Sequence, residues 1–256
     1  MPSSKPTPQP TPKPESQPAQ QPTPQPGAEP PELIWLRPER AGRGPRPAHS
    51  RASIARAAME LADADGLEAV TMRRIAGELG AGTMSLYNYV PKKEQLLDLM
   101  LDAVCGEYQL PDHPSGDWRA DLRLLARQQL AILRRHPWAV TIVRTRASFG
   151  PNSLRVTEFF LGALADADLS GGQKMEALAM LNGFICQFVD WERATVAAGQ
   201  DVQQWQRDLV SYLTGVVTSG DYPNIAAALA SGNAPMDPQA SFERFLDKLL
   251  TVLVER

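Results

Sequence analysis

Ala76-Gly77-Glu78-Leu79-Gly80-Ala81-Gly82-Thr83-Met84-Ser85-Leu86-Tyr87-Asn88-Tyr89-Val90 reads as two short helices joined by a tight turn. Ile75, Ala76 and Leu79 give the first helix an apolar edge, and the small Ala76 lets a second helix cross it closely. Gly80 falls where a chain leaving a helix turns left-handed, a conformation that costs glycine little. Gly82 suits the next N-cap, and Thr83 opens a helix of about two turns in which Leu86 and Val90 face inward. Thr83, Met84, Ser85, Tyr87, Asn88 and Tyr89 then project outward, with no acid among them. A short exposed helix, free of carboxylates and held steeply by its neighbour, suits insertion into a DNA major groove. An ordinary helical hairpin is the bland alternative; small-residue spacing, acid-free face and flanking charge together favour DNA.

The charge around this stretch points the same way. The 256-residue chain has a net charge of only -3, so no global field draws it to nucleic acid. From Arg37 to Arg56, however, six arginines stand against Glu39, a local +5, and residues 73–93 set Arg73, Arg74, Lys92 and Lys93 against Glu78, a local +3. Phosphate contacts need positive charge placed in this way. Residues 1 to about 34 are low-complexity, rich in Pro, Gln, Ser and Thr, and read as a disordered tail leaning to polyproline. Leu33-Ile34-Trp35-Leu36 interrupts it, an apolar tetrad expected to dock on the folded body. The arm that follows contains Arg43 and Arg46 among Gly and Pro. It reads equally as a solvated linker or as an arginine arm lying along the DNA backbone or in a minor groove.

On either side of the central stretch the pattern is helical. Ser50 caps a helix from about Arg51 to Ala64 that buries Ile54, Ala57, Ala58 and Leu61, and Gly66 ends it. Thr71 caps the next helix, whose first turn carries Arg73 and Arg74 against the helix dipole. After Val90-Pro91 a fourth helix begins near Lys92, burying Leu96, Leu97, Met100, Leu101 and Val104.

The run from Ala57 to Val104, with Thr71-Met72-Arg73-Arg74-Ile75-Ala76, Leu79-Gly80-Ala81-Gly82, Leu86-Tyr87-Asn88-Tyr89-Val90 and Lys93-Glu94-Gln95-Leu96-Leu97, resembles the DNA-binding domain of tetracycline-repressor-like (TetR-family) regulators. The resemblance implies that Thr83, Met84, Ser85, Tyr87, Asn88 and Tyr89 touch bases or flanking phosphates, while Thr71, Arg73 and Lys93 hold the backbone. Gly82 departs from the family, where many members carry Ser or Thr, and is expected to weaken one phosphate contact.

The remainder is all helix by pattern, giving an all-α chain. The expected division is a tail and arm at 1–47, a helix-turn-helix domain at 48–92, and a helical effector-binding and dimerisation domain at 93–256. Leu181, Ile185, Phe188 and Val189 on the eighth helix, with Phe242, Phe245, Leu249 and Leu253 on the last, are candidates for a dimer seam. Gln129, Trp138, Phe159, Asn182, Phe184, Gln187 and Trp191 set aromatics beside isolated amides, the mixture a small-molecule pocket requires. These residues imply a ligand-responsive homodimeric repressor on a palindromic operator, released by a small, apolar, uncharged molecule.

Enzyme readings find little support. His49, His113 and His136 lie beside loops or prolines and share no helical face with acids at ligand spacing, so neither metal nor cofactor is expected. Cys105 and Cys186, far apart in apolar helices, read as core residues of a reducing cytoplasm. Nothing reads as a leader or a membrane span. A helical adaptor with a partner-binding Pro-rich tail is the second class, disfavoured by the paired arginines and the acid-free helix.

Overall fold

The computed structural model describes residues 33–39, 49–146, 148–197, 202–230 and 237–254. The expected tail, the arginines Arg43 and Arg46, and the loop before the last helix lie outside these residues. The described residues form helices and turns with no strand: α1 (Arg51–Asp65), α2 (Met72–Glu78), α3 (Thr83–Tyr87), α4 (Lys93–Cys105), α5 (Trp118–Arg135), α6 (Ala139–Thr145), α7 (Pro151–Ala163), α8 (Gly171–Ala197), α9 (Val202–Ser219), α10 (Pro223–Ala230) and α11 (Pro238–Val254).

Local chemistry sets the helix ends. Ser50 and Ser53 make a reciprocal capping box at the start of α1, and Gly66 closes it at φ +83°. Thr71 accepts from the Arg74 amide to cap α2. At its far end Ala81 N–H reaches Ala76 O at 2.8 Å and Gly80 N–H reaches Gly77 O at 3.2 Å, with Gly80 at φ +61°. That pair of bonds is a Schellman turn, which needs a left-handed residue where Gly80 stands. α3 is one turn of helix plus a tight turn at Asn88 and Tyr89, shorter than its sequence suggests.

Core packing then assembles two layers. Ile54, Ala58, Ile75, Leu86 and Val90 close the small core beneath α2 and α3, and α4 runs from it into the body. In the body, α5, α7 and α8 surround Leu122, Leu130, Phe160, Leu164 and Ile185. α11 docks on α8 through Phe242, which stacks on Phe184 at 5.5 Å and meets Phe188 edge-on at 5.2 Å. Arg127 on α5 grips Glu243 with two charge-assisted bonds of 2.8 and 2.9 Å.

Of the apolar tetrad, Ile34 and Trp35 dock across the junction of the two layers, while Leu33 and Leu36 stay exposed. Ile34 is fully buried, and the Arg51 guanidinium donates to Ile34 O at 3.1 Å, Arg37 O at 2.7 Å and Tyr89 O at 3.3 Å. Trp35 packs beside Gly150, where an added Cβ would stand 2.6 Å from its ring.

Asp102 on α4 supplies a cap that α7 lacks. Gly150 is the N-cap of α7 and has no side chain to offer. Instead Asp102, itself buried, accepts from Ser153 N at 2.9 Å, Ser153 Oγ at 3.2 Å and Asn152 Nδ2 at 3.0 Å. A carboxylate at a helix N-terminus answers both the orphan amides and the dipole.

Candidate DNA interface and effector cavity

α2 and α3 present the outward face anticipated from sequence. Thr71, Arg73, Met84, Ser85, Tyr87, Asn88 and Lys93 are exposed, while Thr83 and Tyr89 are half-buried. Met84 stands 78% exposed, far more than an apolar side chain would be if packing alone had placed it. Leu86 beneath them is fully buried and fixes the rotation of α3. The basic residues divide. Arg73 is exposed and makes no ion pair within the described residues, whereas Arg74 pairs with Asp65. Arg51 is committed to the three carbonyls above. Burial lowers its pKa and Glu39, whose carboxylate accepts from the Arg51 amide at 2.7 Å, partly restores it. Of the arginines counted toward the local positive charge, Arg51 and Arg74 thus already have partners within the chain.

Behind the head, α1 meets the body through a network invisible to helical periodicity. His136, nearly buried, sets Nδ1 2.8 Å from Asp63 Oδ1 and Nε2 2.9 Å from Glu107 Oε1, and Trp138 Nε1 donates to the same Asp63 oxygen at 2.6 Å. Burial alone would raise the Glu107 pKa, but the hydrogen bonds from Arg135 and His136 outweigh it and hold the carboxyl below its ordinary 4.5. A carboxylate depressed in the folded state contributes stability above its unfolded pKa and loses it as pH falls through the folded value. Urea midpoints measured from about pH 5 down to pH 3 are therefore expected to fall less steeply in Glu107→Gln than in the wild type. Equal slopes would remove Glu107 from the acid response.

Between α4, α5, α6, α7 and α8 lies a cavity of 410 Å³. Leu101 and Cys105 of α4, Leu125 and Gln129 of α5, Phe160 of α7, and Leu181 and Asn182 of α8 line it. Of the seven pocket residues named from sequence, Gln129 and Asn182 are at this wall. Trp138 turns to Asp63, Phe159 sits in the core, Phe184 stacks on Phe242, Gln187 accepts from Arg144 at 3.0 Å, and Trp191 packs at the surface on Phe188. Tyr108, Val143, Arg146 and Thr157 line the cavity and were not anticipated; Tyr108 reaches it from the loop after α4 and Arg146 from the end of α6, while Val143 and Thr157 stand within α6 and α7. Desolvation pushes the Cys105 and Cys186 thiols up to about 11, so both are almost wholly protonated and inert at neutral pH.

The dimer candidates divide as well. Leu181, Ile185, Phe188, Val189 and Phe242 are buried within the single chain and offer a second copy no surface. Phe245 is 45% exposed, Leu249 and Leu253 are half-buried, and Val252 on α11 and Met180 and Trp191 on α8 are exposed. Val210, Tyr212, Tyr222 and Ile225 leave a further apolar surface on α9 and α10. No group of three or more metal-ligating side chains occurs among the described residues, and no helix there is long and apolar enough to cross a membrane.

These parts, a helix-turn-helix head joined to a helical body, match known families along most of the chain. Residues 54–100 match the model for bacterial regulatory proteins of the tetR family, and residues 110–254 match the tetracyclin repressor-like C-terminal domain. The HTH-type transcriptional repressor DrrR1 of Streptomyces coeruleorubidus is 37% identical over 233 residues, covering 88% of this chain and 86% of the relative. An HTH-type transcriptional regulator of Saccharopolyspora erythraea is 36% identical over 217 residues, 84% of this chain and 88% of its own. Among solved structures, the TetR family protein ActR of Streptomyces coelicolor in complex with actinorhodin superimposes with a TM-score of 0.69 at 27% identity, over 80% of this chain and 95% of that one. The chain belongs to the tetR family of bacterial regulatory proteins and is a helix-turn-helix transcriptional repressor, not an enzyme.

Proposed function

We propose that the chain works as a homodimer on a palindromic operator and leaves it when a small, largely apolar molecule enters the α4–α8 cavity. The observation that carries this reading is the position of the cavity: its wall includes Leu101 and Cys105 of α4, the helix that leads directly out of the reading head. Filling the cavity biases where α4 sits, and with it the spacing of two heads on successive major grooves. ActR, a similar fold, was solved in complex with actinorhodin, which supports a ligand-binding body here. We divide the chain accordingly into a tail and arm (1–47), a reading head (48–92) and an effector and dimer body (93–256).

In the head, Thr83, Met84, Ser85, Tyr87, Asn88 and Tyr89 face bases and their nearest phosphates, and Thr71, Arg73 and Lys93 hold the flanking backbone, with Arg43 and Arg46 assigned to the arm. In the body, Gln129 and Asn182 are the amides that orient the ligand. Phe245, Leu249 and Leu253, joined by Trp191, Met180 and Val252, form the seam between copies. Such a repressor acts in the cytoplasm, where the DNA is.

Half-sites for a helix-turn-helix dimer lie roughly 34–36 Å apart or a multiple of that. Sedimentation at micromolar concentration is expected to give a dimer mass, and Phe245→Glu to shift it toward the monomer while weakening operator binding. A monomeric wild type would sink the dimer reading.

A further inference from the structure

Among the described residues that line the α4–α8 cavity, Arg146 is the one side chain ionised at neutral pH. Burial holds the Tyr108 phenol and the Cys105 thiol in their neutral forms, and the remaining polar groups are amides and hydroxyls. Arg146 follows the last turn of α6, and its guanidinium is already engaged on one side. Nε donates to Asp98 Oδ1 at 3.0 Å and Nη2 to Asp98 Oδ2 at 3.4 Å. A guanidinium carries five N–H groups in a rigid fork, so three remain for another acceptor. Asp98 belongs to α4, upstream of the cavity wall, and its side chain is only 15% exposed.

We propose that the cavity takes an amphipathic anion: an apolar body bearing one carboxylate, phenolate or sulfonate that docks on the free edge of Arg146 and draws it away from Asp98. The inference rests on the cavity being the effector site and adds the charge of the effector and the contact it competes for. It departs from the uncharged ligand expected from sequence, because Arg146 reaches the cavity from a helix end outside every apolar stripe. A guanidinium at the wall of a mostly apolar cavity, with three N–H groups not engaged by Asp98, favours a second anion. That anion and the Asp98 carboxylate repel each other across one guanidinium, so ligand occupancy and the Arg146–Asp98 pair weaken one another. Coupling of this kind is reciprocal. When the ligand binds, α4 loses a tie to the segment that follows α6.

A matched pair of fluorescent probes tests this on the full chain. 8-Anilinonaphthalene-1-sulfonate and N-phenyl-1-naphthylamine differ only in the sulfonate, and both brighten in an apolar site. The sulfonate is expected to bind roughly tenfold or more tighter than the neutral probe, the worth of one charge-assisted contact in a sheltered site. Arg146→Gln should remove most of that advantage, and Asp98→Asn should enlarge it. Thr157→Trp, which fills space at the cavity wall, should reduce binding of both probes. A sulfonate advantage that is absent, or unmoved by Arg146→Gln and Asp98→Asn while Thr157→Trp still displaces both probes, overturns the anion subsite and leaves the cavity standing. Two signals that Thr157→Trp does not touch overturn the cavity as the site itself.

Discussion

Gly150→Ala is expected to cost about 1–3 kcal/mol of unfolding free energy, the range for overpacking a well-packed site. The added Cβ would stand 2.2 Å from Asp102 Oδ1 and 2.6 Å from Trp35 Cζ2. Neither neighbour has anywhere to go. Asp102 is held by Ser153 and Asn152 in a buried site, and Trp35 is drawn in beside Ile34, whose carbonyl Arg51 fixes. Gly172→Ala serves as the control. Its Cβ would meet nothing closer than Ser170 Oγ at 4.0 Å, and its effect should stay within about 0.5 kcal/mol. Urea denaturation of both variants decides it: two equal, small effects would mean that α4, α7 and the Leu33–Leu36 segment do not converge at Gly150.

The second large effect is on DNA. Tyr87→Ala and Asn88→Ala should each weaken specific operator binding by roughly 1–3 kcal/mol if the side chain reads a base edge, with thermal stability unchanged because both are exposed. Arg73→Ala should weaken all sequences alike and lower the salt dependence by about one phosphate's worth. Arg51→Ala makes the contrast, since its guanidinium serves backbone carbonyls. It should lose stability before it loses salt dependence. Fluorescence anisotropy against salt concentration separates these cases, and unchanged affinity in all three head variants would remove the DNA-reading assignment.

The legible part of the fold was its periodic part. Ser50, Gly66, Thr71 and Gly80 mark helix ends through local bonds that need no tertiary partner, and the stripes of α1, α4, α5 and α11 follow from a repeat of about 3.6 residues. A stripe says that a residue is buried, not what buries it. For that reason Phe242 and Ile185 read as a seam between copies when they are core of one. The same limit hid the polar joints. His136 and Asp63 are 73 residues apart in sequence, and Asp102 and Ser153 are 51 apart, so no window along the chain holds both members. The cavity was half legible. Gln129 and Asn182 betrayed themselves as amides on apolar faces, while Arg146 and Tyr108 carry no periodic signature.

The joint at His136 also bears on how the molecule comes apart. A head of about forty residues buries too little surface to be robust alone. Here it is bound to the body by α4, by the Asp63 contacts of His136 and Trp138, and by Ile34 beneath the Arg51 guanidinium. Melting the head breaks all three, and melting the body strips the head of the supports that keep it folded. The two layers are therefore expected to unfold in one cooperative transition, seen as a single calorimetric peak.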